Sequence, residues 1–342
     1  MPFCRKKLEK CLSRFWNAPV YIRIQKRCPY FSKYPNYFNL TLNSIKYNDT
    51  IDWLIITDIK EKYDYPKNVK VINMTFNELR EKVQSVFDFK ICLDIPYKMC
   101  DYKCAYGYIF QDYIREYDFW GHCDFDAIYG NLRKYLSEEI LNKYDKIFHL
   151  GHLSLYRNTV EMNTMFMNKI GDKTLDYKKI YTDKNIYAFD ELGIVNILYN
   201  NKVKMYIDFP FADIYTWDRA LKTIKSKIDL STGKMYFELN KNQKKIFYFD
   251  HGKLYGVYLN ENNLYNIEQS EYMYIHLQKR FMDNYVNNID KFLIIPNKFI
   301  DYKEFDRTFI IKNTKDNILY KRYLKTRRSY NKRLVKIKNL FK

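Results

Sequence analysis

A chain of 342 residues, 47% of them apolar, can bury a sizeable core, which excludes extended disorder over most of its length. Seven cysteines with no Cys-x-x-Cys pair offer no zinc-module spacing and fit a reduced, cytosolic setting. The net charge of +19 admits nucleic acid, anionic membrane or phosphorylated substrates as partners.

Other bulk features narrow this further. The start, MPFCRKKLEKCLSRFW, is basic without the apolar stretch of a signal peptide, and no apolar run is long enough to span a bilayer. A soluble or peripheral protein is expected. The 35 tyrosines have two readings: codon bias of an AT-rich genome, or rings that stack on saccharides.

In chain order, Val20 to Ile24 reads as a strand, and Pro35 opens a helix through Leu40 and Leu42. Asp52 to Asp58 is an apolar run ended by an acid, the pattern of a buried parallel strand whose end points into a site. Val69 to Met74 is a further strand, and Phe76 to Phe87 has helical spacing. Ala105 to Tyr117 is expected as one helix, feeding a strand from Phe119 that ends in Asp124-Phe125-Asp126. Ser137 caps a short helix to Tyr144, and a strand region surrounds Gly151. Beyond Lys204, short strands around residues 205–209, 235–239, 245–249 and 254–258 suggest an antiparallel appendage. Another strand, 292–295, precedes a tail. From Lys321 to Lys342 that tail carries ten Lys or Arg and no acid, interleaved with Leu and Ile, which suits contact with anionic lipid. The alternative is a solvated terminal helix.

Asp124 and Asp126 are the central motif. An Asp-x-Asp pair is common by chance, but this one ends an apolar strand, where open α/β sheets bind ligands. Two carboxylates suit Mn²⁺ or Mg²⁺ bridged to phosphates. Asp190 and Glu191 precede an apolar helical run, where an acid pair suits the start of a helix. His276, followed by Lys279 and Arg280, is a candidate metal ligand beside candidate phosphate contacts, or a structural histidine. Cys100, Cys104 and Cys123 read as small buried residues before metal ligands.

Several motifs in order resemble a family of bacterial glycosyltransferases of the GT-A type, DXD-containing and associated with capsule and lipopolysaccharide loci. They are Pro29-Tyr-Phe31 with Tyr34-Pro-Asn-Tyr-Phe38, Asp52 to Asp58, Tyr117 to Asp126, and Gly151 to Asn158. The resemblance spans roughly residues 20–285. It implies an α/β, GT-A-like (Rossmann-like), mostly parallel sheet flanked by helices, with a smaller antiparallel β appendage and a basic C-terminal tail. It implies a domain at 20–290, divided into a nucleotide-sugar half (20–156) and an acceptor half (157–290), then an extension at 291–342. The implied activity is metal-dependent transfer from a nucleotide-sugar, a UDP-sugar by analogy, to a glycan or lipid-linked acceptor. The implied sites are Asp190 or Glu191 for catalysis, and Asp124, Asp126 and His276 for Mn²⁺ or Mg²⁺. Asp58, Asp101, Lys103, Asp124 and Arg280 fall at the donor, and Gly151 with His152 at the acceptor. Lys103 stands where the family more often has Arg. The expected location is the cytoplasm, with peripheral contact at the inner face of the plasma membrane. Two other readings compete: a catalytically inactive glycan-binding protein of the same shape, and a basic nucleic-acid-binding protein. The second is disfavoured because the bases concentrate in one tail and no recognition motif appears.

Overall fold

The computed structural model describes residues 24–31, 33–169, 176–216, 218–229, 234–239, 245–259 and 266–314, together with 322 and 326. The basic tail, apart from 322 and 326, and residues 20–23 of the first expected strand therefore lie outside the described residues.

The first strands are β1 (Ile24–Pro29), β2 (Asp52–Thr57), β3 (Val69–Asn73), β4 (Phe119–Cys123), β5 (Ala127–Tyr129), β6 (Lys146–Leu150), β7 (Leu153–Arg157) and β8 (Met205–Tyr206). Then come β9 (Ala212–Ile214), β10 (Thr223–Asp229), β11 (Lys234–Leu239), β12 (Lys245–Asp250), β13 (Lys253–Leu259) and β14 (Ile267–Tyr272). The last are β15 (Tyr274–His276), β16 (Asp283–Tyr285), β17 (Lys291–Ile295) and β18 (Lys298–Asp301). Helix α1 (Phe38–Lys46) follows β1, and α2 (Phe76–Gln84) follows β3.

These strands form three sheets, ordered β3-β2-β1-β4-β7-β6-β8, β11-β10-β9-β15-β5 and β14-β13-β12-β17-β18-β16. In the first, β3, β2, β1 and β4 are parallel, β7 is antiparallel to both β4 and β6, and β8 is parallel to β6. The other two are mainly antiparallel, each with one parallel pairing, β15 with β9 and β16 with β18.

This corrects the expected architecture. The molecule is a mixed α/β fold of three mixed sheets with few helices, not one mostly parallel Rossmann-like sheet with a small appendage. The physical reason is that β4 and β6, and β7 up to its last residue, are buried on both faces. An apolar run covered on both sides reads alike in either strand polarity. Strands as short as β5, β9 and β15 are too brief to display a period. The expected helix 105–117 also breaks, into turns at Lys103–Ala105, Tyr106–Ile109 and Gln111–Tyr113. Gly107 lies inside it, pressed against the Trp120 indole, where a Cβ would fall 2.4 Å from the ring. That close approach explains a residue that weakens a helix.

Local signals elsewhere agree with the structure. β2 is buried from Trp53 to Thr57. Thr75 and Glu78 form a reciprocal capping box on α2. Ser137 caps the helix Glu138–Lys143 by accepting the Ile140 N–H. Among the described residues, no helix is long and apolar enough to cross a membrane.

Two sheets meet at the Asp-x-Asp segment. The chain leaves the seven-stranded sheet at Cys123 and enters the five-stranded sheet at Ala127, so Asp124 and Asp126 sit in the crossing. β15 pairs antiparallel with β5, setting His276 opposite Ala127. β15 also pairs parallel with β9, setting His276 beside Asp213. Register alone thus gathers Asp126, His276 and Asp213.

Candidate active site

His276 Nε2 lies 3.4 Å from Asp126 Oδ1 and 4.0 Å from Asp124 Oδ2, while its Nδ1 is 2.8 Å from Asp213 Oδ1. Potential ligand atoms of Asp124, Asp126 and His276 all fall within 4.8 Å of one another. Asp213 is fixed in turn by the Gln278 amide, 2.7 Å away. The imidazole is therefore oriented by one carboxylate and presents its other nitrogen to two more, the arrangement that aims a ligating histidine. Burial opposes charge on His276, but Asp126 and Asp213 outweigh it and raise its pKa to about 10. Burial likewise opposes charge on Asp126, and the His276 charge with the Lys279 backbone N–H lowers its pKa nonetheless. The carboxylates thus draw a cation to their midst. Two carboxylate oxygens and, once it has lost its proton, the His276 Nε2 are spaced so that they could hold a metal ion.

Lys103 joins this set to a second one. Its Nζ is 2.9 Å from Asp124 Oδ1, 2.9 Å from the Gly151 carbonyl and 3.5 Å from Asp190 Oδ2. Burial alone would discharge this lysine, but Asp124 and Asp190 raise its pKa well above the ordinary value. Asp190 is buried, and that burial, opposed by Lys103 but helped by Glu191 and Asp124, raises its pKa to about 7. Glu191 is raised as well, mainly by burial, against the Gly151 N–H that donates to its Oε1 at 2.9 Å. Gly151 turns β6 into β7 so closely that a Cβ would lie 2.3 Å from Asp190 Oδ2. His152 hydrogen-bonds Tyr274 through Nδ1 at 2.9 Å and stacks on His276 at 4.3 Å. Its pKa falls to about 3, first from burial and then from the His276 charge.

All these groups except Asp213 and Tyr274 line one cleft of about 1090 Å³. Its walls include Tyr30, Phe31 and Tyr34, and Lys33 and Lys279 stand exposed at its edge. The size suits a ligand larger than a monosaccharide.

A family model described as a family of unknown function, DUF6625, matches residues 27–303. The chain belongs to the DUF6625 family. No curated protein and no solved structure matches it.

In this DUF6625 chain the remaining expected residues, Asp58, Arg280 and Asp101, have other surroundings or other partners than expected. Asp58 is exposed at the end of β2 and does not line the cleft. Arg280 lines it, but its guanidinium donates to the carbonyls of Tyr215, Asp218 and Arg219 and so fixes that loop. Asp101 is fully buried and does not line the cleft. It pairs with Lys98 at 2.8 Å and accepts the backbone N–H groups of Tyr187 and Phe189 at 3.1 Å. Between them Ala188 is left-handed, at φ 50° and ψ 45°, and starts the π-helical turn Phe189–Gly193 that bears Asp190 and Glu191. Asp101 therefore holds the turn from behind. Breaking so buried an ion pair by Asp101→Ala is expected to cost about 3–5 kcal/mol, read from the urea midpoint. A loss below about 1 kcal/mol would show that the pair does not anchor the turn.

Sequence reasoning missed Asp213 and Tyr274. The available signal was a lone acid inside the apolar stretch Phe211-Ala-Asp-Ile214, which becomes a buried strand. A charge there needs a partner.

Proposed function

We propose that this chain is a metal-dependent glycosyltransferase acting in the cytoplasm on a nucleotide-sugar, with UDP as the preferred nucleotide. The observation that carries the reading is the convergence in one cleft of Asp124, Asp126 and His276 with a buried carboxyl of pKa about 7, bridged by Lys103. Asp124, Asp126 and His276 would hold Mn²⁺ or Mg²⁺, which when bound supplies Lewis-acid neutralisation of a diphosphate. Lys103 adds a fixed positive charge beside it, and the partly exposed rings of Tyr30 and Phe31 in the wall offer aromatic surface to a base or sugar.

Asp190 is the general base, since a carboxyl titrating near neutrality is matched to removing a hydroxyl proton. The proton of the acceptor hydroxyl passes to Asp190 and the acceptor oxygen bonds the anomeric carbon. The bond to the diphosphate oxygen breaks with its electron pair, so the nucleoside diphosphate leaves. This single displacement inverts the anomeric centre. The free state of Cys92, Cys100, Cys104 and Cys123 supports a reducing compartment.

The test is a panel of UDP-, GDP- and TDP-sugars incubated with the full chain, Mn²⁺ or EDTA. Release of nucleoside diphosphate that requires Mn²⁺ is expected for one nucleotide above the rest. No Mn²⁺-stimulated release from any of them would remove the reading.

A further inference from the structure

We propose that the mouth of the cleft seats the aliphatic chain of an anionic, amphiphilic acceptor. Ile95, Tyr97, Ile186 and Phe281 are 50%, 59%, 41% and 72% exposed, unusually open for large apolar side chains, and all four line this one cleft. They come from three separate segments: the residues opening the turn Pro96–Lys98, the stretch before Asp190, and the stretch after β15. Lys279 Nζ lies 4.3 Å from the Tyr97 ring centroid and so ties two of these segments together across the opening. Single exposed apolar residues need no explanation, whereas a set gathered at an opening marks a binding surface.

The chemistry of the rim selects its occupant. Ile95 and Ile186 offer neither ring faces nor hydrogen bonds, so a saccharide gains little from them and an alkyl chain gains much. Lys279 and Lys33 are exposed cations of the same cleft, while its less exposed lining is acidic, with Asp124, Asp126, Asp190 and Glu191. That order of charge complements a molecule with a hydroxylated head, an anionic link and an aliphatic tail. Ile186 precedes Asp190 on the same segment and lines the same cleft, so one stretch of chain carries both an apolar rim residue and the proposed base. This inference rests on the reading of Asp190 as the base of a transferase, and it names that enzyme's acceptor class.

The test measures binding of decyl phosphate and butyl phosphate, below micellar concentration, to the full chain by calorimetry. Each methylene buried contributes about fourfold in affinity, so decyl phosphate is expected to bind at least about tenfold tighter. Phe281→Ser with Ile186→Ser, or Phe281→Ser alone should the pair not fold, is expected to reduce this preference. Lys279→Gln is expected to weaken both probes. Equal affinity for the two phosphates, or a preference unchanged in the rim variants, would overturn the proposal. Neither donor nor metal enters this experiment. Chain-length preference without any donor turnover would leave the rim standing and remove the transferase, and donor turnover without preference would remove the rim alone.

Discussion

Asp126→Asn is expected to lower Mn²⁺-dependent release of nucleoside diphosphate by at least about 10²-fold, the loss typical of one preorganised electrostatic contact. Asparagine keeps the size of the side chain and one oxygen to accept the Lys279 N–H, so the turn after β15 keeps its bond. What disappears is the negative charge facing His276 Nε2 at 3.4 Å. Half-saturation by Mn²⁺ should rise along with the loss of rate, because a charged ligand has gone and Asp124 and His276 remain. A variant with unchanged turnover and an unchanged Mn²⁺ titration would take Asp126 out of the site.

Asp190→Asn is the second large effect, with a loss of about 10²–10⁴-fold in kcat for transfer, the range of general-base catalysis. Donor hydrolysis to water and the KM for donor should move far less, since the proposed role of Asp190 is on the acceptor. In the unaltered chain the base must be ionised, so the rate climbs as pH rises through about 7 and levels off above it. The variant should lose that limb.

Stability moves the other way. Folding raises the Asp190 pKa from 3.8 to about 7, so between those values the folded state binds more protons than the unfolded one. Stability contributed by this residue therefore falls as pH rises over that window and stays reduced above it. Asp190→Asn is expected to raise the melting temperature at pH 8, and by less at pH 5. A lower melting temperature at pH 8 would show that the carboxylate is stabilised in the fold, and the base assignment would fail with it.

How much of this was legible in the chain depends on the range of the interaction. β2, β3, α2 and the Ser137-capped helix were readable because an apolar run, a capping residue and a first-turn acid are neighbours in sequence. Sheet polarity was not, because the buried strands β4, β6 and β7 carry no mark of the direction of their partners. The Asp-x-Asp segment stood out because its two carboxylates interrupt apolar sequence. Asp213 did not, although it orients His276 as directly as any residue does, because a single acid in a three-residue strand has no pattern around it. Asp101 shows the converse. Its place before the Asp124 strand suggested a donor contact, but besides the nearby Lys98 its partners are backbone groups near residue 187, and no local sequence announces those.

The register of β15 between β5 and β9 has a consequence for how the site comes into being. Lys103, Asp124 and Asp126 belong to the earlier stretch of chain, whereas Asp190, Asp213 and His276 follow residue 157. Neither half owns a complete set, so no fragment ending near residue 156 carries a working remnant of the cleft. During synthesis the acids of the crossing emerge first and wait for a strand made much later. The cleft is complete only where β15 pairs with both β5 and β9, so the carboxylates of the crossing and their histidine meet through sheet register and not through nearness in the chain.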